Sequence, residues 1–248
     1  MRIEVILSPA AGGPKVIVPL HYNKALQGLL YHQLRTAFPK VHEGGWESSG
    51  RVFRMFVFSR LMGRIEKIQD KEIHFQAPVR FFVASPNSEV IEVLADGFLK
   101  TAVIRLGDAM LELEKLSVCK TPDLTGGQVL CRAMSPVTVY STVKTADGRK
   151  KTYYYHPQEA EFAQLVENNL RKKAQALEIP DVDQRPICLQ SARVQAKDQK
   201  VVFYGRTVVK GWLGRFHLSG DPTMLKLALN AGIGAKNSQG FGMLQLIK

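Results

Sequence analysis

The sequence predicts an α+β fold made of two tandem ferredoxin-like units, each with the order βαββαβ. Three observations predict it. Apolar residues switch between period two and period 3.6 in the order strand, helix, strand, strand, helix, strand. The same order returns in the second half, after Thr121-Pro122-Asp123. The chain has 248 residues with 45% hydrophobic content, enough for two cores of roughly 120 residues each. The expected boundaries are 1–120 and 125–248, and the halves share pattern, not sequence identity.

The first unit opens with residues 2–8, which alternate polar and apolar as a half-buried strand does. Gly12, Gly13 and Pro14 make a loop. Residues 22–37 change to helical spacing, with Leu26, Leu29, Leu30, Leu34 and Ala37 on one stripe. A Gly/Ser-rich loop leads to extended stretches at Val52–Leu61 and about Glu72–Val83. Ser85-Pro86-Asn87-Ser88 then opens a helix carrying Val90, Ile91, Leu94, Ala95 and Phe98 on one side. Leu111–Val118 closes the unit as a strand.

The second unit begins with a strand at Val129–Met134. A hairpin turns at Asp147-Gly148 and returns through Tyr153, Tyr154 and Tyr155. Pro157 stands where a helix would start, with Phe162, Leu165, Val166, Leu170 and Leu177 as its core face. Ile187–Ala196 and Val201–Leu218 read as strands. Asp221-Pro222 caps a short helix that Gly232 can end, and Met243–Ile247 is the last strand.

Composition narrows the function. Lys and Arg number 34 against 22 Asp and Glu, a net charge of +12, and the pI is about 9.7. That balance favours a polyanionic partner through phosphate contacts and counterion release. Cys119, Cys131 and Cys188 are few and far apart, so they suggest neither a zinc site nor a disulfide framework. No metal site or cofactor is expected. Nothing approaches the roughly 20 apolar residues of a membrane span. A cytoplasmic protein without a membrane contact is the expectation.

The most informative segment is Gly232-Ile-Gly-Ala-Lys-Asn-Ser-Gln-Gly-Phe-Gly242. Glycines let backbone approach a ligand closely, and successive free N–H groups can cradle a phosphate. Lys236 adds charge, and Asn237 and Ser238 add donors. The spacing matches neither a Walker A loop nor GxGxxG. A tight connector holding two turns is the structural alternative. Gln239 to Leu246 partly echoes the RNP1 octamer of RNA-recognition folds, through Gly240, Phe241, Gly242 and Leu244. Met243 and Leu246 replace its stacking aromatics.

The ending GIGAKNSQGFGM resembles the C-terminal motif of the CRISPR-associated RAMP endoribonucleases that process precursor CRISPR RNA. The run His21-Tyr-Asn-Lys-Ala-Leu-Gln-Gly-Leu-Leu-Tyr31 is similar to that family's N-terminal part. The resemblance implies the doubled ferredoxin-like fold, with its RRM-like layout, and metal-independent cleavage of one phosphodiester in a repeat RNA. It implies 2′-OH attack, leaving a 2′,3′-cyclic phosphate and a 5′-OH. Such cleavage needs a base, an acid and positive charge at the phosphorane.

Histidine suits the acid role, with a pKa near neutrality. By resemblance, His42, in the loop Val-His-Glu-Gly-Gly-Trp, sits where the family's catalytic histidine lies. Tyr31 matches a family tyrosine. On the helix it lies beside the apolar stripe, on a flank with Lys24, Gln27 and Arg35. An unperturbed tyrosine is a poor base, so orientation or hydrogen bonding is its expected role. Arg51 falls near a lysine of some relatives and can clamp phosphate without donating a proton, with Arg54 as its competitor. His32 reads as solvated, His21 and His156 as helix caps, and His74 and His217 as structural. The runs Arg149-Lys150-Lys151 and Arg171-Lys172-Lys173 read as solvated faces that could guide an RNA backbone.

The expected catalytic set is therefore His42, Tyr31 and Arg51. The expected RNA contacts are Arg35, Arg54, Gly232, Gly234, Lys236, Asn237, Ser238, Gly240, Phe241 and Gly242. The expected partners are CRISPR repeat RNA and subunits of an effector complex, with the chain a monomer or homodimer. The competing expectations are a non-catalytic repeat-RNA-binding subunit and a basic nucleotide-binding protein.

Overall fold

A computed structural model describes residues 1–34, 44–145 and 147–247. Its first unit is built on β1 (Arg2–Pro9), whose alternate residues Ile3, Val5 and Leu7 are fully buried. Around it lie β5 (Val57–Phe58), β8 (Val79–Ala84), β10 (Ala109–Val118) and β9 (Ile104–Leu106), in the order β5-β8-β1-β10-β9 with every pair antiparallel. Numbered by the βαββαβ pattern, the first four strands stand as 2-3-1-4. The helices α1 (Asn23–Leu34) and α2 (Ser88–Lys100) supply the apolar stripes that cover this sheet, Leu26, Leu29, Leu30 and Leu34 from one and Val90, Ile91, Leu94 and Phe98 from the other. Asn87 caps α2, its side chain accepting from the Glu89 N–H at 2.9 Å.

The second unit repeats the plan. Strands β11 (Gln128–Ala133), β14 (Ile187–Arg193), β17 (Arg215–Gly220) and β18 (Leu244–Leu246) form an antiparallel sheet in the order β14-β17-β11-β18, again 2-3-1-4. The helices α3 (Ala160–Ala176) and α4 (Pro222–Ala231) face it through Phe162, Val166 and Leu170 and through Met224, Leu225 and Ala228. Asp221 caps α4 from the Thr223 N–H at 2.8 Å, with Pro222 in the first turn.

Several expected boundaries shift for physical reasons. The stretch 52–61 divides into β4 (Arg51–Phe53) and β5, because Met55 between them takes a positive φ of 50°. The stretch 72–83 divides into β7 (Glu72–Gln76) and β8 at Ala77-Pro78, where proline has no N–H for the ladder. α3 starts at Ala160 rather than Pro157. His156 and Pro157 instead form a turn, held by the Glu159 carboxylate, which accepts from the His156 N–H. Three hairpin pieces were not expected: β2 (Lys15–Pro19) and β6 (Ile65–Gln69), which flank β7, and β3 (Trp46–Ser48), which pairs with β4. The tyrosine hairpin is present as β12 (Tyr140–Lys144) and β13 (Lys150–Tyr154), and β15 (Gln199–Tyr204) pairs with β16 (Thr207–Trp212).

Each unit has its own apolar core, and a third cluster of Val57, Ala84, Met134 and Met243 joins them. Arg2 crosses the same junction, donating to the carbonyls of Leu229 and Leu244 at 2.8 Å each. Among the described residues no helix is long and apolar enough to cross a membrane.

Candidate functional site

The glycine-rich segment runs from the end of α4 into β18, against the junction of the two units. Gly232 ends α4 with a φ of 74°. Its interior is packed. A Cβ on Gly240 (φ 86°) would stand 2.5 Å from a Phe58 ring carbon and 2.6 Å from the Asn23 amide nitrogen. One on Gly242 (φ 79°) would overlap the Ile233 carbonyl. Gly232, Gly234 and Phe241 are buried as well, with Phe241 fully enclosed.

Several backbone donors of the segment bond within the chain. The N–H of Ile233 donates to Gly242 (2.9 Å), that of Ala235 to Thr138 (2.8 Å), that of Gly240 to Asn237 (3.0 Å) and that of Gly242 to Pro136 (2.9 Å). At Gly232, Gly234, Gly240 and Gly242 the room for a Cβ is taken by protein atoms, which gives each glycine a packing reason of its own.

The segment reaches open space from Gly234 to Ser238. Lys236, Asn237 and Ser238 line a cleft of about 520 Å³ with Arg51, Arg54, Tyr140 and Lys173. Among the described residues on its wall four are basic and none is acidic. Lys236 takes a left-handed backbone (φ 61°) and sets its ammonium 5.5 Å from the centre of the Tyr140 ring.

α1 presents its polar flank to this cleft. Gln27 donates to the Ser238 carbonyl at 2.6 Å and bonds to the Tyr204 hydroxyl. One turn on, Tyr31 packs its ring edge-on to Phe56 with centroids 5.6 Å apart. The Tyr31 hydroxyl shares hydrogen bonds with Ser238 and Arg54. Burial raises its pKa, and those two bonds oppose the rise. A phenol held this way donates or orients rather than abstracts a proton. Arg54 also donates to the Gly44 carbonyl. Arg51, at the start of β4, is exposed and lines the cleft. The structure thus brings Tyr31, Arg51, Arg54, Lys236, Asn237 and Ser238 together. His42 and Arg35 lie outside the described residues.

Lys173 departs from the solvated basic run that Arg171 and Lys172 suggest: it is only 2% exposed. Its ammonium donates to the Gly232 carbonyl and to the Asn237 side-chain oxygen, both at 2.7 Å. Burial pushes its pKa down to about 7. The other histidines serve packing or the surface. His21 tilts on Phe203 at 4.8 Å, and His156 meets Trp212 edge-on at 4.2 Å. His74 sits 3.5 Å from Glu72, while His32 and His217 are exposed.

Two family descriptions cover this architecture. "CRISPR associated protein Cas6, C-terminal" matches residues 119–246, and "CRISPR-associated protein Cas6, N-terminal" matches residues 17–117. The chain belongs to the Cas6 family. It is 26% identical to a Methanocaldococcus jannaschii protein named CRISPR-associated endoribonuclease Cas6 1, over 98% of this chain and 92% of that one. It is 25% identical to the Pyrococcus furiosus CRISPR-associated endoribonuclease Cas6, over 99% and 90%. A solved structure titled "CRISPR associated protein Cas6" superposes with a TM-score of 0.81 at 24% identity, covering 100% of this chain and 99% of the other. That likeness confirms the doubled ferredoxin-like fold. For this Cas6 chain the cleft is the place where fold, charge and polar side chains meet.

Proposed function

We propose that this chain is an endoribonuclease that cuts CRISPR repeat RNA without a metal. The observation that carries this reading is the cationic cleft between the two units, where Tyr31 and Arg54 meet Ser238. Relatives over nearly the full length are named CRISPR-associated endoribonucleases, which supports RNA cleavage in CRISPR processing. A cleft walled, among the described residues, by four basic side chains and no acid suits a phosphate backbone and supplies charge of the kind a phosphorane requires. In this reading residues 1–120 and 125–248 are separate domains that grip one RNA between them.

The chemistry proceeds by transesterification. The 2′-oxygen attacks the adjacent phosphorus as its proton leaves to a base. The phosphorus–O5′ bond breaks, and an acid protonates the departing 5′-oxygen. His42 serves as the acid or base. Tyr31, whose raised pKa makes it a donor, orients the 2′-OH or the phosphate. Arg51 stabilises charge and Arg54 holds Tyr31 in place. Lys236 and Ser238 contact the RNA backbone, and Asn237 does so through its main chain, its side chain being bonded to Lys173 and to the carbonyls of Ile233 and Phe241. The RNA is the partner, in the cytoplasm, and the product passes to an effector complex.

The test is repeat RNA incubated with the chain in EDTA. Cleavage to 2′,3′-cyclic phosphate and 5′-OH ends is expected, and uncut RNA or cleavage that needs added metal overturns the mechanism. His42→Ala should lose about 10²–10⁴ in rate with binding retained. An unchanged rate would move the proton transfer to another residue.

A further inference from the structure

Lys173 occupies an unusual position for a charge. On α3 it continues the spacing of Phe162, Val166 and Leu170, so it falls on the stripe that faces the core. An apolar side chain would fill that position without desolvating an ammonium. Among the described residues no carboxylate forms an ion pair with it. Its surroundings supply oxygens instead: the Gly232 carbonyl and the Asn237 side-chain oxygen at 2.7 Å, and the Ala231 carbonyl at 3.5 Å. Three acceptors meet the three N–H donors of an ammonium. With its donors occupied, Lys173 has none directed at a ligand in the cleft.

The bonds continue beyond it. The Asn237 amide nitrogen donates to the carbonyls of Ile233 and Phe241, at 3.0 Å each, and so closes the glycine-rich segment into a loop. The next residue is Ser238. Its carbonyl receives Gln27, and it also bonds to the Tyr31 hydroxyl. A connected series thus runs from α3 in the second unit, through Lys173, Asn237 and Ser238, to α1 in the first.

We propose that Lys173 is a positioning residue for RNA cleavage: by fixing Asn237 it sets Ser238, and through Ser238 the direction of the Tyr31 hydroxyl. This rests on the reading of Tyr31 as part of a cleavage site. Lys173 touches no reacting atom. Displacement of a catalytic group by an ångström is enough to slow a reaction about 10²-fold.

The experiment measures single-turnover cleavage of repeat RNA, RNA affinity and thermal midpoint for wild type, Lys173→Met, Asn237→Ala and the double variant. Cleavage should fall about 10²-fold in Lys173→Met while affinity stays within about twofold, since a transition-state alignment is lost and not binding. Asn237→Ala should show the same split, and the double variant should be no slower than the worse single one, as members of one unit behave. If Lys173→Met does not fold, Asn237→Ala carries the test alone. Wild-type cleavage rates in the variants overturn the proposal. So does a parallel fall of rate, affinity and thermal midpoint, which marks a merely structural lysine. A wild-type chain that leaves repeat RNA intact overturns the cleavage reading itself, an outcome distinct from the other two.

Discussion

Gly240→Ala separates two meanings of the glycine-rich segment. If Gly240 exists for internal packing, a single methyl group destabilises the protein before it affects RNA. A non-glycine residue in the left-handed region costs about 1–2 kcal/mol. The added carbon would lie 2.5 Å from the Phe58 ring and 2.6 Å from the Asn23 amide, and overpacking of that kind costs about 1–3 kcal/mol. Asn23 donates to the carbonyls of Gln239 and Gly240 at 3.0 and 3.3 Å, and pushing it aside forfeits about 0.5–1.5 kcal/mol for each bond. The terms overlap, since one displacement relieves the clash and breaks the bonds, so a total of about 3–5 kcal/mol is expected. For a chain of this size that lowers the thermal midpoint by roughly 6–20 °C. The assay is thermal unfolding followed by circular dichroism, paired with RNA affinity at a temperature where both proteins are folded. A midpoint within about 2 °C of wild type, together with a tenfold loss of RNA affinity, would refute the packing argument and restore the phosphate-cradle reading.

Two further predictions follow from the cleft. Tyr31→Phe keeps the ring on Phe56 and removes the hydroxyl shared with Ser238 and Arg54; single-turnover cleavage should slow about 10–10²-fold with affinity retained, and an unchanged rate would end its assigned role. Lys173 also predicts a pH dependence of stability. Its folded pKa of about 7 lies below the ordinary 10.5, so its destabilising effect is fully present below pH 7 and is relieved as pH rises toward 10.5. Above pH 10 the raised tyrosines, with Tyr204 at about 12, act in the opposite sense. Between pH 7 and about 9.5 wild type should therefore gain stability over Lys173→Met, by up to about 3 kcal/mol in urea titrations. A difference that does not change with pH would mean that the three surrounding oxygens keep Lys173 protonated.

Both βαββαβ orders were legible because each core-facing element keeps a single period over enough residues. Leu26, Leu29, Leu30 and Leu34 are buried as their spacing requires, and so are Phe162, Val166 and Leu170. The short hairpins were not legible. β2 and β7 bury alternate residues, but over only five positions each, too few to stand out beside flanking turns. Pro157 misplaced the start of α3 because its fixed φ serves a turn as readily as a first helical residue. The flank of α1 was readable: Gln27 and Tyr31 lie one turn apart and both reach Ser238. Lys173 was hidden by composition. Beside Arg171 and Lys172 it looked like part of a charge run, although its place three residues after Leu170 put it on the buried stripe. Helical phase was the better guide there than charge. For Phe241 and its neighbouring glycines the sequence leaves two readings open, because glycine spacing looks the same whether backbone approaches a ligand or another strand of the same protein.

That ambiguity has a practical side. A glycine that answers to Phe58 and Asn23, as Gly240 does, serves the join between two halves whatever the molecule does with RNA. Such an ending suits a chain that cuts and equally a chain that only binds. The question of cutting is therefore one to put to the side chains that line the cleft, not to the glycine ending.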